Sequence, residues 1–394
     1  MPPRVEALVE PSLLRWARES AGLDTELAAK KAGVKQERLE SWEAGERRPS
    51  IVQLRKLAHI YRRPIAVFYL PEPPADIPTP RDFRRLPGEV AGIESPELRY
   101  EVRRAVTRRE IALELLSEEG EEAPEFPLRA RVSDDPDDLA SGIRDVLGVE
   151  LRTQYTWRGT YDPFNGWRAA IEEQGVLVLQ MVDVDPTEAR GFSISEMPLP
   201  AVVANIKDAP RGRTFTLLHE LAHVVLRQGG LCDLDDLASR PVDRLNVEKF
   251  CNRVSGAILL PRDALLSDAS VREHGRDPAW TDEELRSLSQ RFGASREAVL
   301  RRLLDLGRTD EDYYRDRREG FLAEYEEARR RQGAGFAPPH QIALASAGPA
   351  FSGLVLSSYA HGNITASDVS DYLGIRLKHL PRIEQQLVGR ASRQ

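Results

Sequence analysis

The sequence predicts a mostly helical α+β chain: an all-α N-terminal domain, a larger domain built around a small sheet, and a small helical C-terminal region. Three observations carry this reading. Amphipathic segments opened by Ser, Asp or Pro and closed by Gly recur along most of the 394 residues. Short β-branched runs bounded by Gly, Pro and Asp occur in one region only, as "GVLVLQMVDV", "ARGFSIS" and "LPAVVANI" between residues 175 and 206. Residues 71–90, "PEPPADIPTPRDFRRLPGEV", hold six prolines and mark an extended linker between the first domain and the rest.

Composition narrows the class. Apolar residues make up 41% and charged residues 30%, the balance of a globular chain rather than a disordered one. No run of about 18 apolar residues is present, so no membrane span is expected. The opening "MPPRVEALVEPSLLRW" lacks the apolar core of a secretory signal. Two cysteines, Cys232 and Cys251, cannot build a disulfide framework and fit a reducing cytoplasm, which is the expected location. The net charge of −7 argues against a chain coated in nucleic acid. It is unevenly spread, however: the first 75 residues hold 13 basic against 10 acidic residues, the remainder 43 against 53. Only the head has a balance that permits nucleic-acid binding.

The elements follow in order. Residues 8–70 read as packed short helices and 71–93 as the linker. Connecting helices are expected over 94–150. The first, "SPELRYEVRRAVTRREIALELLSEEG" (95–120), starts with a Ser cap and Pro at the first helical position. "DPDDLASGIRDVLGV" and "DPFNGWRAAIEEQG" read as helices that each end at a glycine. The larger domain spans 151–331, with the three strands followed by helices from residue 214 onward. Residues 332–394 form the helical tail, in which "GNITASDVSDYLGI" shows a capped helix start. The tail histidines His340, His361 and His379 have no spacing that suggests a site.

The chemistry concentrates in "TFTLLHELAHVVL" (214–226), a helix apolar nearly all round. It nevertheless carries His219, Glu220 and His223, groups that resist burial unless something satisfies them. Positions i and i+4 share a helix face, so both imidazoles can point at one metal ion, with Glu220 beside them to take a proton from a water activated there. This is the His-Glu-x-x-His arrangement of zinc hydrolases. A catalytic zinc needs a third protein ligand, and Asp233, Asp235, Asp236, Asp243, Glu248, Cys232, Cys251 and His274 are the downstream choices. The Asp run reads as a solvated loop. "NVEKFCNRVSGAILLPRDAL" resumes helical spacing with Val247, Cys251, Val254 and Ile258 inward, and Glu248 lies on that same side. Cys251 reads as a small core residue.

These residues carry a family resemblance. "RGFSIS", "PAVVANIK", "RGRTFTLLHELAHVVL" and "VEKFCNRVSGAILLP" resemble the ImmA/IrrE metallopeptidase family over roughly residues 160–310, including "FGASREAVLRRLLDLG" as the closing helix. The resemblance implies a zincin-like domain holding one Zn²⁺ per chain through His219, His223 and Glu248, with Glu220 as catalytic base. The stretch after the third ligand departs from the family's Ala-Asn-x-Phe-Ala and reads Cys251-Asn252-Arg253-Val254-Ser255. That change concerns pocket shape and substrate rather than the chemistry.

The head has its own signature. "TELAAKKAG" ends at Gly33, a tight turn follows, and "KQERLESWEAG" begins another helix, with Ala28, Val34, Leu39 and Trp42 at packing positions. This is the helix-turn-helix pattern and resembles XRE/Cro-repressor-type domains. In that resemblance Lys35, Gln36, Glu37 and Arg38 open the recognition helix and face the major groove. Gln36 is the base-reading candidate, since its amide can pair bidentately with adenine. Lys31, Arg47 and Arg48 are placed to hold phosphates. Against this, Glu37, Glu40, Glu43 and Glu46 repel phosphate, which keeps open a docking module that no longer binds DNA.

The expected protein is thus a zinc endopeptidase joined to a DNA-binding domain. By family resemblance its substrate is a transcriptional repressor, cut to release stress-response or mobile-element genes. The competing expectation is an XRE-family regulator or antitoxin-like protein whose metallopeptidase fold senses or docks. DNA and a repressor are the expected partners, a membrane is not, and a homodimer is left open. The 176–182 and 201–206 strands are expected to offer an edge to an extended substrate.

Overall fold

The structure, a computed structural model, describes residues 6–74, 95–227, 241–331 and 337–391. The proline-rich linker and the candidate ligands Cys232, Asp233, Asp235 and Asp236 lie outside them, as does the side chain of Asp243. The chain divides into two compact units, Met1–Thr79 with Val90–Arg104, and Pro80–Glu89 with Ala105–Gln394.

The first unit contains α1 (Pro11–Ser20), α2 (Thr25–Ala32), α3 (Gln36–Glu43) and α4 (Ile51–Ile60), then a 3₁₀ turn at Ile65–Tyr69. Side chains fix the helix ends. Asp24 accepts from the Leu27 N–H, Ser50 and Gln53 form a reciprocal capping box, and Gly33 takes the left-handed conformation that ends α2. Leu13, Leu14, Leu39, Trp42, Leu54 and Phe68 close the core. A buried pair ties α1 to α3: Arg18 donates to both carboxylate oxygens of Glu43 at 2.8 and 2.9 Å.

The long helix α5 (Pro96–Glu118) starts as expected, with Ser95 Oγ accepting from the Leu98 N–H. The helices α6 (Pro136–Val146), α7 (Leu151–Gln154) and α8 (Asp162–Glu173) lead into a sheet of β1 (Leu177–Met181), β2 (Gly191–Ile194) and β3 (Ala201–Asn205). Its order is β1-β3-β2, with β1 parallel and β2 antiparallel to β3. Every strand residue is buried, which is why the strands read as continuous apolar runs instead of alternating ones. Two long helices follow, α9 (Pro210–Val225) against β2, β3 and α8, and α10 (Pro241–Leu259) against α9 and α6.

The C-terminal carbonyls of α10 are satisfied from outside the helix. Arg144 donates to the carbonyl of Ile258, Gln154 to that of Leu259 and Arg302 to that of Leu260. Arg144 also reaches Gln154 and the Val149 carbonyl, and burial pulls its guanidinium down to about 10. The helices α11 (Arg262–Leu266), α12 (Ala269–His274), α13 (Asp282–Phe292), α14 (Arg296–Asp305) and α15 (Glu311–Arg331) complete the domain. The tail is α16 (Pro339–Ala347), α17 (Pro349–His361), α18 (Ala366–Leu373), a 3₁₀ turn at Leu377–His379, and α19 (Leu380–Ala391).

The expected substrate edge needs correction. Residues 201–205 form the central strand, and β1 is closed on its outer side by α16. Ser346 Oγ donates to the Gln180 carbonyl at 3.0 Å, and a Cβ on Gly348 would come within 2.3 Å of the Val178 carbonyl oxygen. Neither stretch has an open backbone edge. Among the described residues no single helix is long and apolar enough to cross a membrane.

Candidate metal centre

The centre is built by α9 and α10. Helix α9 is a buried element with one residue class out of place: from Thr214 through Val225 every position is buried, including His219, Glu220 and His223. Its packing sets the two imidazoles one above the other, with Nε2 atoms 3.2 Å apart. Phe215, one turn earlier, stacks on the His219 ring at a centroid distance of 6.4 Å and fixes its plane.

Helix α10 supplies the third group. Glu248 places one carboxylate oxygen 3.2 Å from His219 Nε2 and the other 3.2 Å from His223 Nε2. These two imidazoles and one carboxylate are the group of potential ligands found together among the described residues. Burial by itself would raise the Glu248 pKa, but hydrogen bonds and charge from His219 and His223 hold the carboxyl well below its usual range. Burial would likewise favour neutral His223, yet Cys251, Glu248 and Glu220 hold its imidazole above its ordinary value. Two imidazole nitrogens and an anionic oxygen converging on one point are a donor set that suits zinc.

The other ligand candidates are placed elsewhere. His274 stacks on Trp280 and directs Nδ1 to Glu284 at 2.8 Å. Cys251 is fully buried beside His223, and burial pushes its thiol up, so it packs as a neutral core residue. Val254 and Ser255, at the departure from the family pattern, are also buried, with Ser255 Oγ donating to the Cys251 carbonyl at 2.6 Å.

Glu220 does not face the same way as the two histidines around it. It is buried on the side of α9 toward β2, where the backbone comes unusually close. A Cβ on Gly191 would lie 2.4 Å from Thr216 Cγ2, 2.8 Å from the Val203 carbonyl oxygen and 3.3 Å from Glu220 Cγ. Only glycine lets this strand back onto the glutamate.

The centre opens into a cleft of about 460 Å³. Arg211, Phe215 and His219 line it from α9 at four-residue spacing, Glu248 and Asn252 from α10, and Phe321 and Tyr325 from α15. The Tyr325 hydroxyl is 3.0 Å from Asp208 Oδ1, which holds this part of α15 at the cleft. Sequence reading missed the α15 wall, because a charged helix far along the chain carries no mark of the cavity it covers. Arg211 was equally hidden; its guanidinium donates to Ser289 Oγ at 2.6 Å and is pulled down by burial and by the charge of Arg296.

In the first unit, Lys31, Lys35, Gln36, Glu37, Arg38, Arg47 and Arg48 are all exposed around the turn and the start of α3. Several are already engaged. Gln36 Nε2 donates to Glu40 at 2.8 Å and Thr25 Oγ1 at 3.2 Å, Arg38 lies over the Trp42 ring, and Lys31 is 3.5 Å from Glu97.

Comparison with known proteins agrees with both halves. Residues 171–304 match the family model described as peptidase M78, IrrE N-terminal-like domain, and residues 14–68 match the helix-turn-helix model. No curated protein matches the chain. The His219–His223–Glu248 centre falls inside the first match and the α2–α3 turn inside the second. The chain therefore joins an XRE-type helix-turn-helix domain to an IrrE N-terminal-like domain of the M78 peptidase family.

Proposed function

We propose that the protein is a zinc-dependent endopeptidase that cuts a transcriptional repressor, switching on stress-response or mobile-element genes, while the head binds DNA. The observation that carries this reading is the convergence of His219, His223 and Glu248 beside a cleft that His219 and Glu248 line, with Glu220 buried next to them. A regulator that only senses or docks has no need of Glu220, a buried carboxylate that costs stability to keep.

In this reading His219, His223 and Glu248 hold one zinc ion. Bound zinc supplies Lewis acidity, which makes water a nucleophile at neutral pH and polarises the carbonyl under attack. Glu220 accepts the proton from the attacking water and passes it to the leaving amine. Phe215 keeps the His219 ring in plane, and Gly191 admits β2 close enough to exclude water behind Glu220. The substrate segment enters along the cleft between α9 and α15 rather than by pairing with β1 or β3. In the head, Lys35, Gln36, Glu37 and Arg38 face the major groove, and Lys31, Arg47 and Arg48 hold phosphates. Gln36 gives up its contacts to Glu40 and Thr25 to read a base.

The deciding experiment is Glu220→Gln, assayed for zinc content and for cleavage of candidate repressors. Zinc retained with hydrolysis lost is the expected result. A wild-type protein that takes up no zinc under any loading condition would overturn the reading.

A further inference from the structure

The tail repeats the turn that defines the head. Helices α2 and α18 both have 8 residues. Asp24 caps the first by accepting from the Leu27 N–H, and Thr365 caps the second by accepting from the Asp368 N–H. Gly33 closes α2 at φ 67°, ψ 37°, and Gly374 closes α18 at φ 66°, ψ 36°. The Val34 N–H returns to the Ala29 carbonyl at 3.0 Å, and the Ile375 N–H returns to the Ser370 carbonyl at 3.0 Å. Lys35 and Arg376 then continue in extended backbone. The buried side chains keep the same register: Ala28 with Val369 and Ala32 with Leu373 before the turn, Leu39 with Leu380 and Trp42 with Ile383 after it.

Such a turn by itself serves packing as readily as recognition, and α13–α14 shows the first use. Gly293 ends α13 in the left-handed region, but α14 buries Ala298, Val299, Leu300 and Leu303, and Arg296 is tied to Asp282 and Glu324. The tail differs in the residues beyond its glycine. Arg376, Lys378, Arg382 and Gln385 are exposed, and none of the three cations forms an ion pair with a described residue. At the positions where the head carries Glu37 and Glu40, the tail carries Lys378 and Pro381. Pro381 has no N–H to give to the Leu377 carbonyl, so the first turn tightens to a 3₁₀ turn before α19 continues.

We propose that residues 365–387 form a second DNA-binding helix-turn-helix, with Arg376, Lys378 and Arg382 on phosphates of duplex DNA and Leu377, at the position of Gln36, turned to the groove. The tail helix lacks the two exposed carboxylates, Glu37 and Glu40, that the head's recognition helix carries, while its Glu384 stands exposed at the position of Glu43, which in the head is buried against Arg18. The 45% exposed Leu377 suits contact with a thymine methyl, the one apolar mark in the major groove.

The test uses the full chain and a random-sequence DNA duplex, with anisotropy titrations over a range of salt. Substituting R376Q, K378Q and R382Q together should weaken binding at least about tenfold and flatten the log–log salt slope by up to about 2.7, three phosphate contacts' worth. The side chains are exposed, so the melting temperature should not move. A second measurement, photocrosslinking wild type to a bromodeoxyuridine duplex and mapping the peptides, should recover residues from 376–387 as well as from the head. Wild-type affinity and slope in the triple variant, or crosslinks confined to the head, would overturn the proposal. So would loss of self-association in the triple variant with DNA binding intact, which would make the tail a protein-docking face.

Discussion

Glu248 faces the two imidazoles while Glu220 is buried against β2, so removing the two carboxylates should have different consequences. Under the proposed function Glu248→Ala leaves only the two imidazoles, and zinc content by elemental analysis should drop from about one per chain to near zero. Glu220→Gln keeps size and burial but removes the carboxylate proposed as the base. Zinc should stay while peptide cleavage falls by about 10²- to 10⁴-fold, the usual worth of a general base. At this scale the sequence was informative because the relation is local: positions 219 and 223 lie on one helix face whatever surrounds them. Glu248 was legible one step less directly, from its place on the apolar side of "NVEKFCNRV". Arg211 and Tyr325 were not, since nothing local says which surface a cleft will occupy.

Among the elements, β2 and α10 depend most on close fitting. Gly191→Ala would push a methyl into Thr216 Cγ2 and the Val203 carbonyl oxygen. A cost of about 1–3 kcal/mol is expected from such overpacking, read as a lower melting temperature. Cleavage should fall further than stability explains, because the strand backs Glu220. Arg144→Met should cost about 2–5 kcal/mol, since it strips hydrogen bonds from the buried Val149 and Ile258 carbonyls. The helices were readable from their caps and glycines: Ser95 and Thr365 accept from helix N–H groups at the two capped starts the sequence shows. Strand order was not readable. That residues 201–205 lie between β1 and β2 is a long-range pairing, invisible to a short run of valines. The tail's turn left a visible signal in "TASDVSDYLGI" — a cap, eight residues, a glycine and a β-branched residue — but the matching pattern lay more than 300 residues earlier.

For the whole molecule, the two compact units should respond separately to damage. Glu43→Ala leaves the guanidinium of Arg18 buried without its carboxylate, a loss of about 3 kcal/mol confined to the first unit. Calorimetry should show that unit's transition move down while zinc content and cleavage stay at wild-type values. The tail has a further consequence through α16. With Ser346 on the Gln180 carbonyl and Gly348 against Val178, the outer side of β1 is sealed. A chain cut after residue 331 would bare the outer edge of "LVLQM", an apolar strand with the Gln180 carbonyl then unpaired and no charge to discourage a neighbour. Such a truncated chain should precipitate on expression by strand-to-strand stacking between molecules, the outcome expected if the tail keeps the larger domain from becoming an aggregation template.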